Sequence, residues 1–538
     1  MSVAEPPGDR HSGGDVTRPA GPRPARRPRR LRLLKLLRGI PPEAALVGTG
    51  LFAILAAFAA ADPVARVTDS VAPFTDEAGN FVNARNFVQL GTWSTDQWNL
   101  HLVNLPFSLL EAATFELIGV GIVQARLAMI LCVSLTAAAL VWGLRGVVGR
   151  TCATFAGLAF GFSGLVLFYG RLAFLEDLVV LGLTLGTLIL AREDRLTWRW
   201  GALSGVCYAV AIGTKPSALF AVVGIVAVVG AVWGRRDPGV RRWVMASSAV
   251  VALAGLVWAI AIWLPNRAAV AIDATIWPPY QWNVTPVELF DSIKAYLTGK
   301  SDHIFGWLLL PLIGLGCAGS LTILGWRARL SRAQARMAVA AFAWAAFGFG
   351  ILMVVSYRPN RYVVPLVPPL AILAAIGLNL FLAWLRERLA GHHAAGSAPE
   401  AEEAAAGPGR ARRLVTGVVA GAAILVAVFP GLAWYGNWAG HATYDMVAIQ
   451  NQFADAVPPG GMVAGSANSA LFLMRSKAKT VIVGLANRGD LYAQGARWYI
   501  QINSATPPNG VPAPAWAARE LIMCATWRGD DVCLFHVR

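Results

Sequence analysis

Eleven apolar runs divide the chain, at about 43–61, 122–144, 151–169, 178–191, 199–214, 217–233, 243–264, 304–325, 337–356, 362–385 and 414–432. No other feature limits the fold so sharply. A helix of about 20 apolar residues matches a hydrocarbon layer about 30 Å thick. Inside a bilayer every backbone polar group needs an internal partner, which leaves only helices and closed barrels. A barrel would read as alternating segments of about ten residues, and that alternation is absent. The expected fold is an all-α polytopic membrane protein of about eleven transmembrane helices.

Basic residues mark alternate connections between the runs. Arg145 and Arg150 form the first group, and Arg192, Arg195 and Arg199 the second. Arg235, Arg236, Arg241 and Arg242 follow, then Arg327, Arg329, Arg332 and Arg336, then Arg386, Arg388, Arg410, Arg412 and Arg413. Positive loops stay in the cytoplasm, so the N-terminus is expected inside and the C-terminus outside. The net charge of +16 is then a topology signal. No basic face interleaved with aromatics and no nucleic-acid-binding motif occurs, which argues against a nucleic-acid partner.

Five regions follow. Residues 1–42, rich in Pro, Gly and Arg, read as a disordered cytoplasmic tail, and 43–385 as a transmembrane module. Residues 386–413 read as a cytoplasmic low-complexity linker and 414–432 as the last span. Residues 433–538 are expected to form a small extracytoplasmic α/β domain. There "VPPGGMVAGSANSALFLMRSKAKTVIVG" predicts strand, helix, strand, and "CATWRGDDVCLFHVR" a hairpin. Cys524 and Cys533 flank that hairpin and suit a disulfide if the C-terminus meets an oxidising compartment.

Only 14% of the residues are charged, yet charges recur at the expected outer ends of the runs. "FTDEAGNFVNARNF" places Asp76 and Glu77 after the first run. Helical phase puts Ala78, Phe81, Val82, Arg85 and Val88 on one face, and Asp76, Asn80 and Asn83 on another. That predicts a helix lying along the membrane with a polar face turned to a cavity. The segment after Pro106 predicts a second such helix. "YGRLAFLED" adds Arg171, Glu176 and Asp177, "TKP" adds Lys215, and "YRPNRYVVP" adds Arg358, Arg361 and Tyr362. His101 and His303 lie on the same side.

Each has a plain structural reading. Asp76 could cap a helix over 77–88. Arg171 and Glu176 could pair at a helix end. Lys215 could snorkel to headgroups, and Arg358 and Arg361 could hold lipid phosphate. Together the set suits glycosyl transfer from a lipid-linked sugar phosphate. One carboxylate removes the acceptor proton, cations stabilise the leaving phosphate, and a second carboxylate could hold a divalent metal, Mg or Mn. The alternative is a transporter or lipid flippase using the same cavity. It should show two related halves with interrupted helices, and no internal repeat is visible.

Several segments, in order, resemble the GT-C type membrane glycosyltransferases, particularly the branch related to protein O-mannosyltransferases and lipid A aminoarabinose transferase. They are "TDEAGNFVNARNFVQLGTW", "HLVNLPFSLLEAATFELIGVGIVQARL", "GRLAFLEDLVVL", "GVCYAVAIGTKPSAL" and "NRYVVPLVPPLAIL", within 43–385. The resemblance implies Asp76 as catalytic base with Glu77 beside it. It implies Glu176, or Asp177 beside it, as the second acidic position on the acceptor or metal side; His101 and His303, by their place on the outer side, could join a metal site. It implies Lys215 and Arg361 near the donor phosphate; Arg171, Arg358 and Tyr362 are expected to join them from the same outer span ends. The implied donor is a polyprenyl-phosphate sugar and the implied acceptor an envelope glycan, lipid or protein. Membrane lipids complete the partners, a bacterial plasma membrane is the implied location, and inversion is the implied outcome.

Overall fold

The computed structural model describes residues 40–62, 72–93, 100–192, 196–268, 285–298, 306–355, 360–394, 407–465, 471–482, 492, 495–502, 513–527 and 530–538. The expectations for the tail 1–39, for Arg358 and His303, and for the side chains of Asp76 and His101 lie outside the described residues.

The apolar runs coincide with helices. In chain order these are α1 (Pro42–Ala56), α2 (Ala72–Leu90), α3 (Leu105–Ile118), α4 (Ile122–Gly161), α5 (Gly164–Tyr169), α6 (Leu175–Leu188), α7 (Trp198–Thr214), α8 (Ala218–Trp233) and α9 (Pro238–Trp258). They continue as α10 (Pro286–Thr298), α11 (Gly306–Gly325), α12 (Arg332–Val354), α13 (Val367–Ala394), α14 (Gly407–Ala439), α15 (Asp445–Gln452) and α16 (Ala513–Ala517). Among the described residues, five are long and apolar enough to cross a membrane: those covering 122–161, 238–263, 332–354, 360–390 and 413–439. Shorter apolar helices cover 42–56, 218–233 and 310–325.

Local chemistry sets several boundaries. Asp237 accepts from the Gly239 and Val240 amides (2.8 and 3.2 Å) and Pro238 follows it, so α9 opens on a side-chain cap and a preset φ. Ser331 and Gln334 form a reciprocal capping box at the start of α12. The 40 residues of α4 would span about 60 Å if straight, twice the hydrocarbon thickness. The chain instead reverses at Gly149, whose φ of 76° favours glycine. The arms pack closely: a Cβ on Gly157 would lie 2.9 Å from the Ala137 carbonyl oxygen.

Polar groups tie the helices where little water enters. Trp243 Nε1 donates to Ser204 Oγ (2.7 Å), and Ser204 donates to the Gly186 carbonyl (2.8 Å), linking α9, α7 and α6. At the start of α1, Glu43 pairs with Arg145 and Arg150, each at 3.4 Å. That cluster marks one end of the bundle. The exit of α1, residues 57–62, lies at the other.

The C-terminal region carries a five-stranded sheet: β1 (Met462–Gly465), β2 (Lys479–Ile482), β3 (Trp498–Ile502), β4 (Glu520–Trp527) and β5 (Asp530–His536), in the order β2-β1-β3-β5-β4. β1 runs parallel to β2 and β3; β5 runs antiparallel to β3 and β4. Cys524 sits opposite Cys533 in the β4–β5 hairpin, and a disulfide joins them. Ala464, Val481, Ala496, Tyr499, Trp516 and Val537 form a small apolar cluster of their own. Other residues of the region, such as Phe453, Leu471 and Leu534, join the main core. Residues 42–538 accordingly form one compact unit.

Candidate functional site

The exit of α1, helix α2 and the turn 170–174 before α6 meet at one end of the bundle. Helix α2 begins at Ala72, so Asp76 lies inside it and is not its N-cap. The middle of α2 is buried on every side from Glu77 to Ala84 except for a half-buried Asn80. A helix resting on a membrane surface would keep one face open. Here the C-terminal region covers the row of Arg85 and Gln89, and the turn at Ala173 covers the Asn80 side.

Glu77 is fully buried. Its Oε1 accepts from Arg126 Nε at 2.7 Å, and its Oε2 accepts from Arg126 Nη2 at 2.9 Å. Oε1 also accepts from the Ala173 amide at 3.0 Å. Arg126, near the start of α4, sends Nη1 to the carbonyls of Ala59 (2.9 Å) and Ala61 (2.7 Å). Asn80, one turn beyond Asp76, donates to the Ala173 carbonyl at 3.4 Å. The Ala173 peptide is thus held at both its N–H and its C=O by α2.

Three residues later the same strand of chain delivers Glu176. Glu176 is buried and ion-paired with Lys215 Nζ, and Arg361 Nε lies 3.7 Å from its Oε1. Lys215 stands 3.4 Å from the Tyr362 ring centre, and the Arg361 guanidinium 5.1 Å from the same ring and 5.6 Å from Phe174. Lys215 ends α7, and Arg361 belongs to a 3-10 turn, Asn360–Leu366, that precedes α13. Glu176, Lys215, Arg361 and Tyr362, which the sequence placed at three separate run ends, converge here. The acids in the first turn of α6 suit the positive end of its dipole.

Arg171 is anchored elsewhere. It stacks 3.9 Å over the Trp438 ring and reaches the carbonyls of Ala61 (3.5 Å) and Asp62 (3.4 Å). Asp177 is fully buried, and neither of its oxygens has a hydrogen-bond partner among the described residues.

Four residues at this end escaped the sequence reading of the site: Asp62, Arg85, Glu111 and Arg126. Arg126 interrupts an apolar run, and Arg85 stands in the apolar row of α2; those misplaced charges were the available signal. Glu111, on α3, is buried with both oxygens unpartnered among the described residues. Burial, and secondarily the Glu77 carboxylate, pushes its carboxyl well above the usual carboxylate range.

A divalent metal would need carboxylate or imidazole donors brought together. Among the described residues no three His, Cys, Asp or Glu side chains come together to hold one. The carboxylates of Glu77 and Glu176 already face cations.

No protein-family model matches the chain, and no curated protein matches it in sequence. Solved structures do match. ArnT from Cupriavidus metallidurans in the apo state superimposes with a TM-score of 0.61 at 17% identity, over 94% of this chain and 98% of that one. The same protein bound to undecaprenyl phosphate gives 0.59 at 16%, over 92% and 98%. The Archaeoglobus fulgidus oligosaccharyltransferase in the apo form gives 0.49 at 12%, over 84% and 69%. At 16–17% identity the likeness is one of architecture: the chain has the fold seen in ArnT.

Proposed function

We propose that this protein is a membrane glycosyltransferase that moves a monosaccharide from a polyprenyl-phosphate donor to an acceptor hydroxyl. The reaction is placed on the outer face of a bacterial plasma membrane. Eleven crossings, the N-terminus inside and the C-terminus outside complete the reading. The observation that carries it is the meeting of Lys215, Arg361 and Tyr362 around Glu176, one short turn from the Ala173 peptide held by α2. The shared fold with a protein that binds undecaprenyl phosphate supports the donor class.

In this reading Asp76 takes the proton of the acceptor hydroxyl, and that oxygen attacks the anomeric carbon. The bond from the anomeric carbon to the phosphate oxygen breaks, and its electron pair leaves with the polyprenyl phosphate. The transition state is oxocarbenium-like, and attack opposite the leaving group inverts the centre. Lys215 and Arg361 neutralise the charge growing on the phosphate, with Arg358 and Arg171 as further cations. Asp76 and Asn80 are i and i+4 on α2 and share a face; Asn80 reaches the turn leading to Glu176. Glu77, held by Arg126, sets the position of α2. No step runs through a metal.

The test supplies membranes with labelled polyprenyl-phosphate sugars and compares wild type with Asp76→Asn. Transfer by wild type and its loss in a folded Asp76→Asn protein are expected. Normal transfer by that variant would sink the base assignment.

A further inference from the structure

The segment that brings Asp76 to the site is gripped on both sides by the C-terminal region. Upstream stands Asp62. Its Oδ2 accepts from Thr443 Oγ1 (2.7 Å) and the Asp445 amide (3.0 Å), and its Oδ1 accepts from the Met446 amide (3.0 Å). Its own amide donates to the Thr443 carbonyl at 2.7 Å. Asp62 therefore caps α15 from a distant part of the chain; Tyr444, at the local N-cap position, supplies no side-chain bond.

Downstream stands Arg85, fully buried. Nε donates to the Met474 carbonyl (3.2 Å), and Nη2 to those of Leu473 (2.9 Å), Ala478 (3.1 Å) and Ser476. Nη1 donates to Asn86 Oδ1 at 2.8 Å, and Gln89 adds a bond to the Met474 carbonyl at 3.3 Å. Among the described residues this guanidinium forms no ion pair; main-chain carbonyls carry its charge. Only a planar group with five donors can fill such a socket. The two grips belong to one body, since Gln450 Nε2 donates to the Leu471 carbonyl (2.8 Å) and joins α15 to the socket.

We propose that the C-terminal region is a clamp that fixes α2 in register for the reaction, with Arg85 and Asp62 as its positioning residues. Neither residue touches the reacting groups, and what the clamp serves rests on the transferase reading. A rigid α2 keeps the base at attack distance, where a displacement near 1 Å costs about 10²-fold in turnover.

The test uses the full-length chain, with Arg85→Met, Arg85→Lys and Asp62→Asn. Hydrogen exchange of the amides in 77–90 reads the clamp directly. Both Arg85→Met and Asp62→Asn should speed that exchange while the protection of α4 and α13 stays as in wild type. Transfer kinetics should show kcat down by about 10- to 100-fold with donor KM nearly unchanged, and Arg85→Lys should fall between. If Arg85→Met does not fold, Asp62→Asn carries the same comparison. Unchanged exchange in 77–90 overturns the clamp whatever the enzyme does. Faster exchange with unaltered kcat overturns its link to the reaction. A wild type that transfers no sugar refutes the transferase reading instead, and the exchange result still decides the clamp.

Discussion

Glu77 and Arg126 close a two-pronged ion pair, at 2.7 and 2.9 Å, with neither side chain exposed. Removing one partner leaves a buried charge uncompensated, which costs about 3–5 kcal/mol. Glu77→Gln and Arg126→Met should each lower the thermal midpoint by several degrees, measured on the purified protein in detergent. The double variant should lose less than the sum, because the two sites are coupled. A Glu77→Gln protein that melts like wild type but transfers no sugar would make Glu77 a chemical group, not a positioning one.

Glu111 gives a pH signature. Its folded carboxyl is held well above the usual range, first by burial and then by Glu77. Stability is whole below the unfolded carboxyl value of about 4.3. Above it the unfolded chain ionises while the folded chain keeps its proton, so stability falls as pH rises toward the folded value. The slope contributed is at most about 1.4 kcal/mol per pH unit. Glu111→Gln should flatten the decline of the thermal midpoint from acidic to neutral pH. An identical decline in wild type and variant would show that Glu111 ionises normally.

How much of this was legible beforehand differs by kind of contact. Hydrocarbon sets a background against which Glu176, Lys215 and Arg361 stand out at run ends, so their identity needed no partner. The apolar runs gave the helices for the same reason. The carbonyl partners of Arg85 were hidden: they lie 388 or more residues on, and main-chain carbonyls leave no mark on a sequence. The burial of α2 was misread for that reason too. Its pattern shows an apolar row and a polar face; residues 473–478 meet the apolar row through Arg85, and the polar face meets the turn at Ala173 through Asn80. The stacking of Arg171 on the Trp438 ring was hidden in the same way, because the two lie far apart in the chain.

The disulfide offers a test of the proposed topology. Cys524 and Cys533 are 9 residues apart and joined; closing so short a loop is worth about 2–3 kcal/mol in the chain-entropy view. In intact cells both thiols should resist alkylation until a reductant is added, and Cys524→Ser with Cys533→Ser should lower the thermal midpoint. Free, reactive thiols in untreated cells would place the C-terminus on the reducing side.

The pairing of Glu176 with Lys215 and Arg361 predicts opposite effects for its members. On the proposed reading, an arriving phosphate would compete with Glu176 for the two cations it pairs with. Lys215→Met removes one charged contact, a loss of about 1.5–3 kcal/mol. Donor KM should rise roughly 10- to 100-fold. Glu176→Gln removes one buried negative charge from beside both cations. Polyprenyl phosphate, the departing product, should then bind more tightly, and turnover should slow because release does. Titrating free polyprenyl phosphate against each variant distinguishes the cases. If Glu176→Gln weakens that binding as Lys215→Met does, Glu176 orients the cations for phosphate and does not compete with it.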